Sequence, residues 1–236
     1  HTLECISNEI GGDLISTAIW VGVPVADLLA RAAPKADAYD AVLTSVDGYS
    51  DSIRIAKALD PDTLVAYLMN GVTLPEEHGY PVRALIPGIY GMKNVKWLQR
   101  IEVATFDFQG YWMERGWSDV AAYGTHVRID TPTAVPRLVD GSVIVAGIAF
   151  AGQRGISKVE ISTDGGKTWS DAALEPAPGR HTWRRWRYLW RPAGAARYRL
   201  VARATDGPGQ VQTSVQRPPF PDGTSGYHSV EVSITA

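Results

Sequence analysis

The stretch Arg184-Arg185-Trp186-Arg187-Tyr188-Leu189-Trp190 decides how the second half of the chain folds. Successive side chains of a β-strand point to opposite faces, so Trp186, Tyr188 and Trp190 share one face and the arginines between them share the other. Large aromatic side chains dominate sandwich cores, which favours core packing for Trp186 and Trp190. Stacking against a sugar is the alternative, since the chain holds eight tryptophans.

The same alternation continues on both sides of that stretch. Hydrophobic residues recur at every second position before it and again at the chain end, and a glycine-rich turn falls between two of these runs. Period-two patterning with turns at short intervals is typical of an antiparallel β-sandwich. The pattern rests on Val143, Val145, Gly147, Ala149, Val159, Ile161, the turn Asp164-Gly165-Gly166-Lys167, Val230, Val232 and Ile234.

A different kind of domain precedes the sandwich. Hydrophobic patterning is interrupted between Ala122 and Pro136, where glycine and the run Asp130-Thr131-Pro132-Thr133 occur. The length of 236 residues suits two modest domains. We therefore predict a first domain over residues 1–124 and the sandwich over residues 125–236.

The first domain is predicted to mix helix and strand, which gives the chain an α+β fold class. Pro24 suits the start of a helix, and apolar residues follow it at helical spacing until Pro34. Polar motif residues fall between the predicted strands, on loops of the kind that hold ligands. The helix is carried by Val25, Leu28, Leu29 and Ala32, and the strands are predicted over Leu64 to Leu68, Val82 to Ile86 and Val95 to Val103.

The composition describes a folded protein with no bulk affinity for polyanions. Hydrophobic residues make up 45% of the chain, charged residues make up 20%, and the formal net charge is −2. Nucleic acid is therefore a poor partner. No apolar run approaches the roughly 20 residues that span a bilayer, and the N-terminus lacks the regions of a signal peptide. This stretch of chain is predicted to be soluble.

Cys5 is the only cysteine of the chain and lies in Thr2-Leu3-Glu4-Cys5-Ile6-Ser7-Asn8. One cysteine cannot form an internal disulfide, and without further cysteines and histidines it cannot build a structural zinc site. The residues alone leave three alternatives open. Cys5 is a buried inert thiol, a nucleophile, or one soft ligand to a metal that something else mainly holds.

Six further motifs follow the Cys5 stretch, namely Gly11-Gly12-Asp13-Leu14-Ile15, Trp20 to Leu29, Asp62 to Gly71, His78-Gly79-Tyr80-Pro81-Val82-Arg83, Pro87-Gly88 and Gly91 to Leu98. In this order they resemble the sulfite oxidase family of molybdopterin-dependent oxidoreductases. The resemblance covers nearly the whole chain, because the second half is similar to that family's immunoglobulin-like dimerisation domain. The Cys5 stretch and Pro218-Pro219-Phe220-Pro221-Asp222-Gly223 are most similar to bacterial members, which often carry membrane spans.

The resemblance implies a molybdenum-molybdopterin cofactor and a set of residues that hold it. In this family the metal takes the two sulfurs of a pterin dithiolene, oxo or hydroxo groups and one cysteine thiolate, so Cys5 alone suffices as the metal ligand from the protein. The implied chemistry is two-electron oxygen-atom transfer to or from a small oxo substrate. The implied cofactor-binding residues are Asn8, Ser52, His78, Arg83, Gly91, Lys93 and Lys96, and the implied catalytic residues are Cys5, Tyr49 and Trp117.

The substrate side of the resemblance departs from sulfite oxidases in two places. Those enzymes place an arginine after the Cys-x-x-Asn element, where this chain has Glu9, and a tyrosine at the position of Trp117. Sulfite is an anion near neutral pH, so Glu9 is expected to repel it and sulfite is predicted to be a poor substrate. Reduction of an S-oxide or N-oxide on the same cofactor is one alternative. A metal-free binding or assembly module is another.

The resemblance also implies partners outside this stretch of chain. No haem or iron–sulfur motif occurs, so the electron acceptor is expected to lie elsewhere, and the sandwich is expected to form a homodimer. Family members carry a segment before the cysteine that contributes to the cofactor site. We expect the chain to be the C-terminal part of a longer, membrane-anchored protein, with this domain outside the cytoplasm. This part alone is expected to hold little or no cofactor, with Cys5 mobile or accessible near a chain end.

Overall fold

The structure is a computed structural model that describes residues 1–235, and most of its regular structure is β-sheet. The N-terminal half holds the strands β1 (Thr2–Glu4), β2 (Ile15–Thr17), β3 (Trp20–Pro24), β4 (Asp40–Ser45), β5 (Ser50–Arg54), β6 (Leu64–Met69), β7 (Val72–Thr73), β8 (Arg83–Leu85) and β9 (Leu98–Ala104). They form three small antiparallel sheets. β1 pairs with β2, β6 pairs with β3, β7 and β8, and β4 lies between β5 and β9.

Helix accounts for little of the N-terminal half. The predicted helix is confirmed, because α1 (Val25–Ala32) begins directly after Pro24. It ends at Ala33, whose backbone is left-handed with φ +47°, since a residue before proline avoids helical backbone and Pro34 follows. The second helix, α2 (Ile55–Ala58), is a single turn. This half is mostly sheet, with less helix than the predicted α+β class implies.

Two of the three strands predicted in this half are confirmed, and the third is partly wrong. β6 and β8 lie where strands were expected, although β8 is shorter than predicted. The strand predicted from Val95 onward begins only at Leu98. Trp97 adopts a left-handed backbone with φ +49°, which a regular strand does not contain, and Val95 is buried in the core of this half.

The second half consists of two four-stranded antiparallel sheets around one hydrophobic core. Its strands are β10 (His126–Thr131), β11 (Val143–Phe150), β12 (Ile156–Ser162), β13 (Ser170–Asp171), β14 (Ala173–Leu174), β15 (Arg184–Trp190), β16 (Ala196–Asp206) and β17 (His228–Ile234). One sheet has the order β10-β11-β15-β14 and the other the order β13-β12-β16-β17. We call this unit the C-terminal sandwich.

The tryptophans of β15 lie in the core of the C-terminal sandwich. Trp186 is 1% exposed and Trp190 is 4% exposed, which confirms core packing over sugar stacking. Tyr188 packs against the same core. The pairing agrees with the predicted antiparallel sheets, whereas the immunoglobulin-like classification and the boundary between residues 124 and 125 stay predictions.

The first strand of the chain is bonded to the C-terminal sandwich. The backbone N–H of Thr2 donates to the carbonyl of His181 at 2.9 Å, and the N–H of Trp183 donates to the hydroxyl of Thr2 at 2.9 Å. β1 is also paired with β2, so the segment before Cys5 is tied down at both sides, and the expectation that Cys5 is mobile or accessible stays a prediction. No helix among residues 1–235 is long and apolar enough to cross a bilayer.

Candidate functional site

An open cavity of about 590 Å³ lies beside Cys5, and we call it the Cys5 cavity. Four of the predicted site residues meet there, which are Cys5, Arg83, Gly91 and Trp117. Most of the remaining wall is apolar. The full wall consists of Leu3, Glu4, Cys5, Ile6, Ser7, Asp13, Leu14, Ile15, Ser16, Arg83, Gly91, Met92, Trp112 and Trp117.

Cys5 has a fixed backbone and a thiol at the cavity wall. It directly follows β1, and its N–H donates to the carbonyl of Leu14 at 3.0 Å. The side chain is partly buried, with its Sγ 3.0 Å from the hydroxyl of Ser7. The thiol is therefore reachable from the cavity while the loop that carries it is held in place.

Asn8 closes the loop behind Cys5 and does not line the cavity. Its N–H donates to the carbonyl of Cys5 at 3.0 Å, and its side-chain amide donates to Glu4 Oε1 at 2.9 Å. Its side-chain carbonyl accepts the N–H of Leu14 at 3.0 Å. Asn8 braces residues 5–14, which we call the Cys5 loop, and its predicted contact with the cofactor stays a prediction.

Arg83 is a buried cation without a carboxylate partner. It opens β8, is 6% exposed, and lines the Cys5 cavity. Its guanidinium donates only to backbone carbonyls among the described residues, with distances of 3.1 Å to His78 and 3.1 Å to Asn94 and a longer 3.4 Å contact to Ala84. Burial lowers the pKa of Arg83 to about 10. A charge in this position calls for an anionic ligand.

A second cavity of about 270 Å³ shares part of its wall with the Cys5 cavity. The shared residues are Arg83, Gly91, Met92 and Trp112. Lys96 lines the second cavity, where its Nζ donates to the carbonyl of Glu77 at 3.0 Å and lies 4.4 Å from the Trp97 ring. Two cationic side chains thus line this neighbouring space.

Tyr49 also lines the second cavity, but its hydroxyl is engaged by the protein. The hydroxyl lies 2.8 Å from the carbonyl of Met92 and 3.1 Å from Asp51 Oδ2, and both are acceptors. Burial, reinforced by the charge of Asp51, raises the pKa of Tyr49. The hydroxyl remains protonated, and its single proton is shared between two protein acceptors. A role as donor to substrate stays a prediction.

Lys93 and Ser52 lie away from the Cys5 cavity. Lys93 is 1% exposed, and its Nζ contacts Asp51 Oδ1 at 2.9 Å, Asp119 Oδ1 at 3.1 Å and the carbonyl of Ser52 at 2.9 Å. The Ser52 hydroxyl donates to the carbonyl of Phe108 at 2.9 Å. Two carboxylates already occupy the Lys93 amine, so the prediction that these residues bind cofactor finds no support in this placement.

His78 lies at the end of a 3₁₀ turn, Glu76–His78, and acts through its backbone. Its carbonyl accepts from Arg83 Nη1 at 3.1 Å, while its ring lines neither cavity. The structure thus places His78 beside the cofactor candidate Arg83 as a support for that side chain. Direct binding through the imidazole stays a prediction.

Two features of the site were missed from the sequence. Trp112 lines both cavities, and its ring lies 6.4 Å from that of Trp117. Glu4 lines the Cys5 cavity at 1% exposure, with Oε2 buried and unbonded among the described residues and Oε1 3.8 Å from His126 Nδ1. Alternation along β1 offered a signal for Glu4, since Thr2 and Glu4 share the buried face.

Glu9 lies outside the Cys5 cavity. It is exposed and borders a separate crevice of about 20 Å³ together with Asn8 and His126. The predicted repulsion of sulfite by Glu9 therefore finds no support in this placement. The acidic residues of the Cys5 cavity are Glu4 and Asp13 instead.

Metal-ligating side chains are not clustered in this part of the chain. Over residues 1–235, no group of three or more histidine, cysteine, aspartate or glutamate side chains has the arrangement of a metal site. A metal bound at Cys5 would take its other ligands from outside the protein.

Two family models divide the chain between them. Residues 1–112 match the oxidoreductase molybdopterin binding domain, and residues 124–215 match the Mo-co oxidoreductase dimerisation domain. The fold and the site thus define a molybdopterin-binding oxidoreductase module followed by a dimerisation module.

Known proteins similar to this chain indicate its family within this class. Mitochondrial sulfite oxidase of Homo sapiens is 33% identical over 92% of this chain and 48% of that protein. Sulfite oxidase of Arabidopsis thaliana is 31% identical over 76% of this chain and 58% of that protein. The crystal structure of the sulfane dehydrogenase SoxCD from Paracoccus pantotrophus superposes with a TM-score of 0.82 at 23% identity, over 98% of this chain and 68% of that one, which shows the shared fold.

The chain belongs to the sulfite oxidase family of molybdopterin-dependent oxidoreductases, which confirms the resemblance read from the sequence. It spans about half the length of the curated mammalian relatives it matches, 48% of each.

Proposed function

We propose that this chain forms the Cys5-bearing part of a molybdopterin-dependent oxidoreductase that transfers an oxygen atom to or from a small oxo substrate. One observation carries the proposal. The single thiol of the chain lines the same cavity as the buried guanidinium of Arg83, which has no carboxylate partner among residues 1–235. A soft ligand and an unsatisfied cation are what a thiolate-bound metal on an anionic organic cofactor requires.

The residues of the two cavities fit such a cofactor. Cys5 would supply the one protein thiolate, and Arg83 the charge for an anionic tail, with Lys96 as a second cation in the adjoining cavity. When bound, the cofactor would supply two-electron oxygen-atom transfer. The protein would fix Cys5 through its backbone bond to Leu14, and hold Arg83 through the backbone carbonyls it contacts.

The charges of the Cys5 cavity favour a neutral oxo substrate over sulfite. Glu4 and Asp13 line the wall, and Arg83 is the one cation there among the described residues. If Arg83 serves the cofactor, no wall cation remains for an anionic substrate. This supports reduction of an S-oxide or N-oxide as the second candidate function, with an external carrier supplying the electrons.

Partners and location follow from the family and stay proposals. The dimerisation module supports a homodimer formed through the C-terminal sandwich, and the acceptor or donor of electrons would be a separate protein. Membrane anchoring, an extracytoplasmic location and low cofactor occupancy in this part alone stay predictions from the resemblance.

The decisive experiment uses the full-length protein, made in a host that synthesises the molybdenum cofactor. We expect near-stoichiometric molybdenum by elemental mass spectrometry, and turnover of small oxo substrates with an artificial electron carrier. Cys5→Ser should nearly abolish turnover with the fold retained, because a hydroxyl is a hard, weakly acidic ligand. Ser214→Ala, which is exposed and lines neither cavity, is the control. Wild-type turnover in Cys5→Ser would remove Cys5 from the site, and absence of molybdenum in the wild-type protein would favour a metal-free binding module.

A further inference from the structure

The motif Pro218-Pro219-Phe220-Pro221-Asp222-Gly223 has no part in the function proposed above. It lies at the tip of a long connection between β16 and β17 of the C-terminal sandwich. The base of the tip is closed by mutual backbone hydrogen bonds between Arg217 and Ser225, at 3.1 and 3.4 Å. We call residues 217–225 the strap, because they leave the sandwich and contact the N-terminal half at three places.

The first contact is with the Cys5 loop. The hydroxyl of Thr224 donates to the backbone carbonyl of Asn8 at 2.9 Å, and both residues are buried. The N–H of the same Asn8 donates to the carbonyl of Cys5. One hydroxyl of the strap therefore reaches the backbone three residues beyond the thiol.

The second contact is with Tyr90, which is 1% exposed and directly precedes the 3₁₀ turn Gly91–Lys93 at the cavity wall. Gly223 has φ +92°, and a Cβ on it would lie only 2.5 Å from the Tyr90 hydroxyl oxygen. Only glycine permits this backbone conformation at this distance.

The third contact is with the segment that carries Trp117. The Phe220 ring meets the Trp117 ring edge-on at 5.2 Å between centroids, and its Cζ would lie 3.2 Å from a Cβ on Gly116. The N–H of Ser118 donates to the carbonyl of Pro221 at 3.1 Å. The strap therefore contacts two of the segments that line the Cys5 cavity, the Cys5 loop and the segment that carries Trp117.

We propose that the strap is a positioning element that fixes the Cys5 loop and Trp117 relative to each other at the cavity wall. Thr224 is the positioning residue for Cys5. Two further contacts from the sandwich also hold the Cys5 loop: Arg128 Nη1 donates to the carbonyl of Gly12 at 2.9 Å, and the His228 ring packs against Gly11. The C-terminal sandwich would then position the Cys5 loop in addition to forming the proposed homodimer. The use of this geometry in catalysis rests on the proposed function, whereas the restraint itself exists without cofactor.

The test uses this 236-residue chain, in which Cys5 is the only thiol. Its alkylation by iodoacetamide therefore reports only on the accessibility of the Cys5 loop. Thr224→Val keeps the shape of the side chain and removes the donor, which leaves the buried carbonyl of Asn8 unpaired. We expect alkylation of Cys5, and amide hydrogen exchange of residues 5–14, to become about fivefold faster or more. Thr224→Ser should restore the wild-type rates. Thr213→Val, on the same connection but exposed, is the matched control.

The inference fails if Thr224→Val reacts and exchanges like Thr213→Val while circular dichroism shows both folded. If Thr224→Val does not fold, Phe220→Ala decides, because Phe220 is 53% exposed and outside the core. It should speed exchange at Ser118 several-fold, and unchanged exchange there would overturn the positioning role. If the full-length protein from a host that synthesises the molybdenum cofactor contains no molybdenum and this chain still shows both effects, the proposed function fails and the positioning role of the strap stands.

Discussion

Two buried cations, ten residues apart, lie in opposite kinds of surroundings. Lys93 is 1% exposed and contacts the carboxylates of Asp51 and Asp119. Arg83 is 6% exposed and meets only backbone carbonyls and the Trp20 ring, 5.4 Å from its centroid. Both were expected to bind the cofactor. The ion-pair cluster around Lys93 is complete within the protein, whereas no carboxylate of the described residues pairs with Arg83.

The difference separates a structural charge from one kept for a ligand. A buried ion pair loses most when one partner is removed, because the other is left uncompensated. A buried cation that faces a cavity without a charged partner lowers stability, and only a bound anion offsets that loss. Each of the following changes tests one side of this contrast.

The largest effect on folding is expected for Lys93→Met. Removing the amine leaves Asp51 buried without its cation, and burial already raises the pKa of Asp51. We expect the free energy of unfolding to fall by roughly 3–5 kcal/mol in urea denaturation. Lys96→Met, which removes a cation on the cavity surface, should cost less than about 1 kcal/mol. Equal losses in the two variants would erase the contrast.

Arg83→Ala should have a smaller effect on stability than Lys93→Met and a large effect on cofactor occupancy. The free energy of unfolding should fall by only about 1–3 kcal/mol, because backbone carbonyls lose a donor but no charge is stranded. Cofactor occupancy of the full-length protein under limiting supply should drop by about one to two decades, as a charge-assisted contact is lost. Molybdenum content measured beside the unfolding curve checks both parts. Unchanged occupancy would make Arg83 structural, like Lys93.

The smallest effect is expected for Glu9→Arg. If Glu9 repels sulfite, as the sequence analysis predicts, this change should improve the apparent affinity for sulfite. In the structure Glu9 is exposed and outside the Cys5 cavity, so solvent and salt screen its charge. We expect KM for sulfite in the full-length enzyme to change less than about twofold at physiological ionic strength. An improvement of tenfold or more would restore the role first assigned to Glu9.

Much of the fold was readable from the sequence, because it depends on local periodicity. The helix after Pro24 and the alternating strands of the sandwich follow from spacing alone. The family resemblance named Cys5 and Arg83 as site residues, and both line the Cys5 cavity, whereas their roles there stay predictions.

What the sequence could not supply is the direction of side chains on irregular backbone. Lys93 and Lys96 look alike as a basic pair, yet a 3₁₀ turn points the first into the ion-pair cluster and leaves the second at a cavity. The left-handed Trp97 likewise breaks a run that reads as strand. These two features depend on contacts between residues that are distant in the sequence, and so does the position of Glu9 outside the Cys5 cavity.

Two hydrogen bonds described above connect parts of the chain that are far apart in sequence. The bond between Trp183 and Thr2 spans 181 positions, and the bond between Thr224 and Asn8 spans 216 positions. During synthesis from the N-terminus, Cys5 is therefore made before Trp183 and Thr224, which support its loop. Contacts of such long range form late, because the entropy of closing the intervening loop must be met before they contribute. The Cys5 loop therefore lacks these two restraints until Trp183 and Thr224 have been made. Any cofactor that needs the finished loop must be loaded after that point.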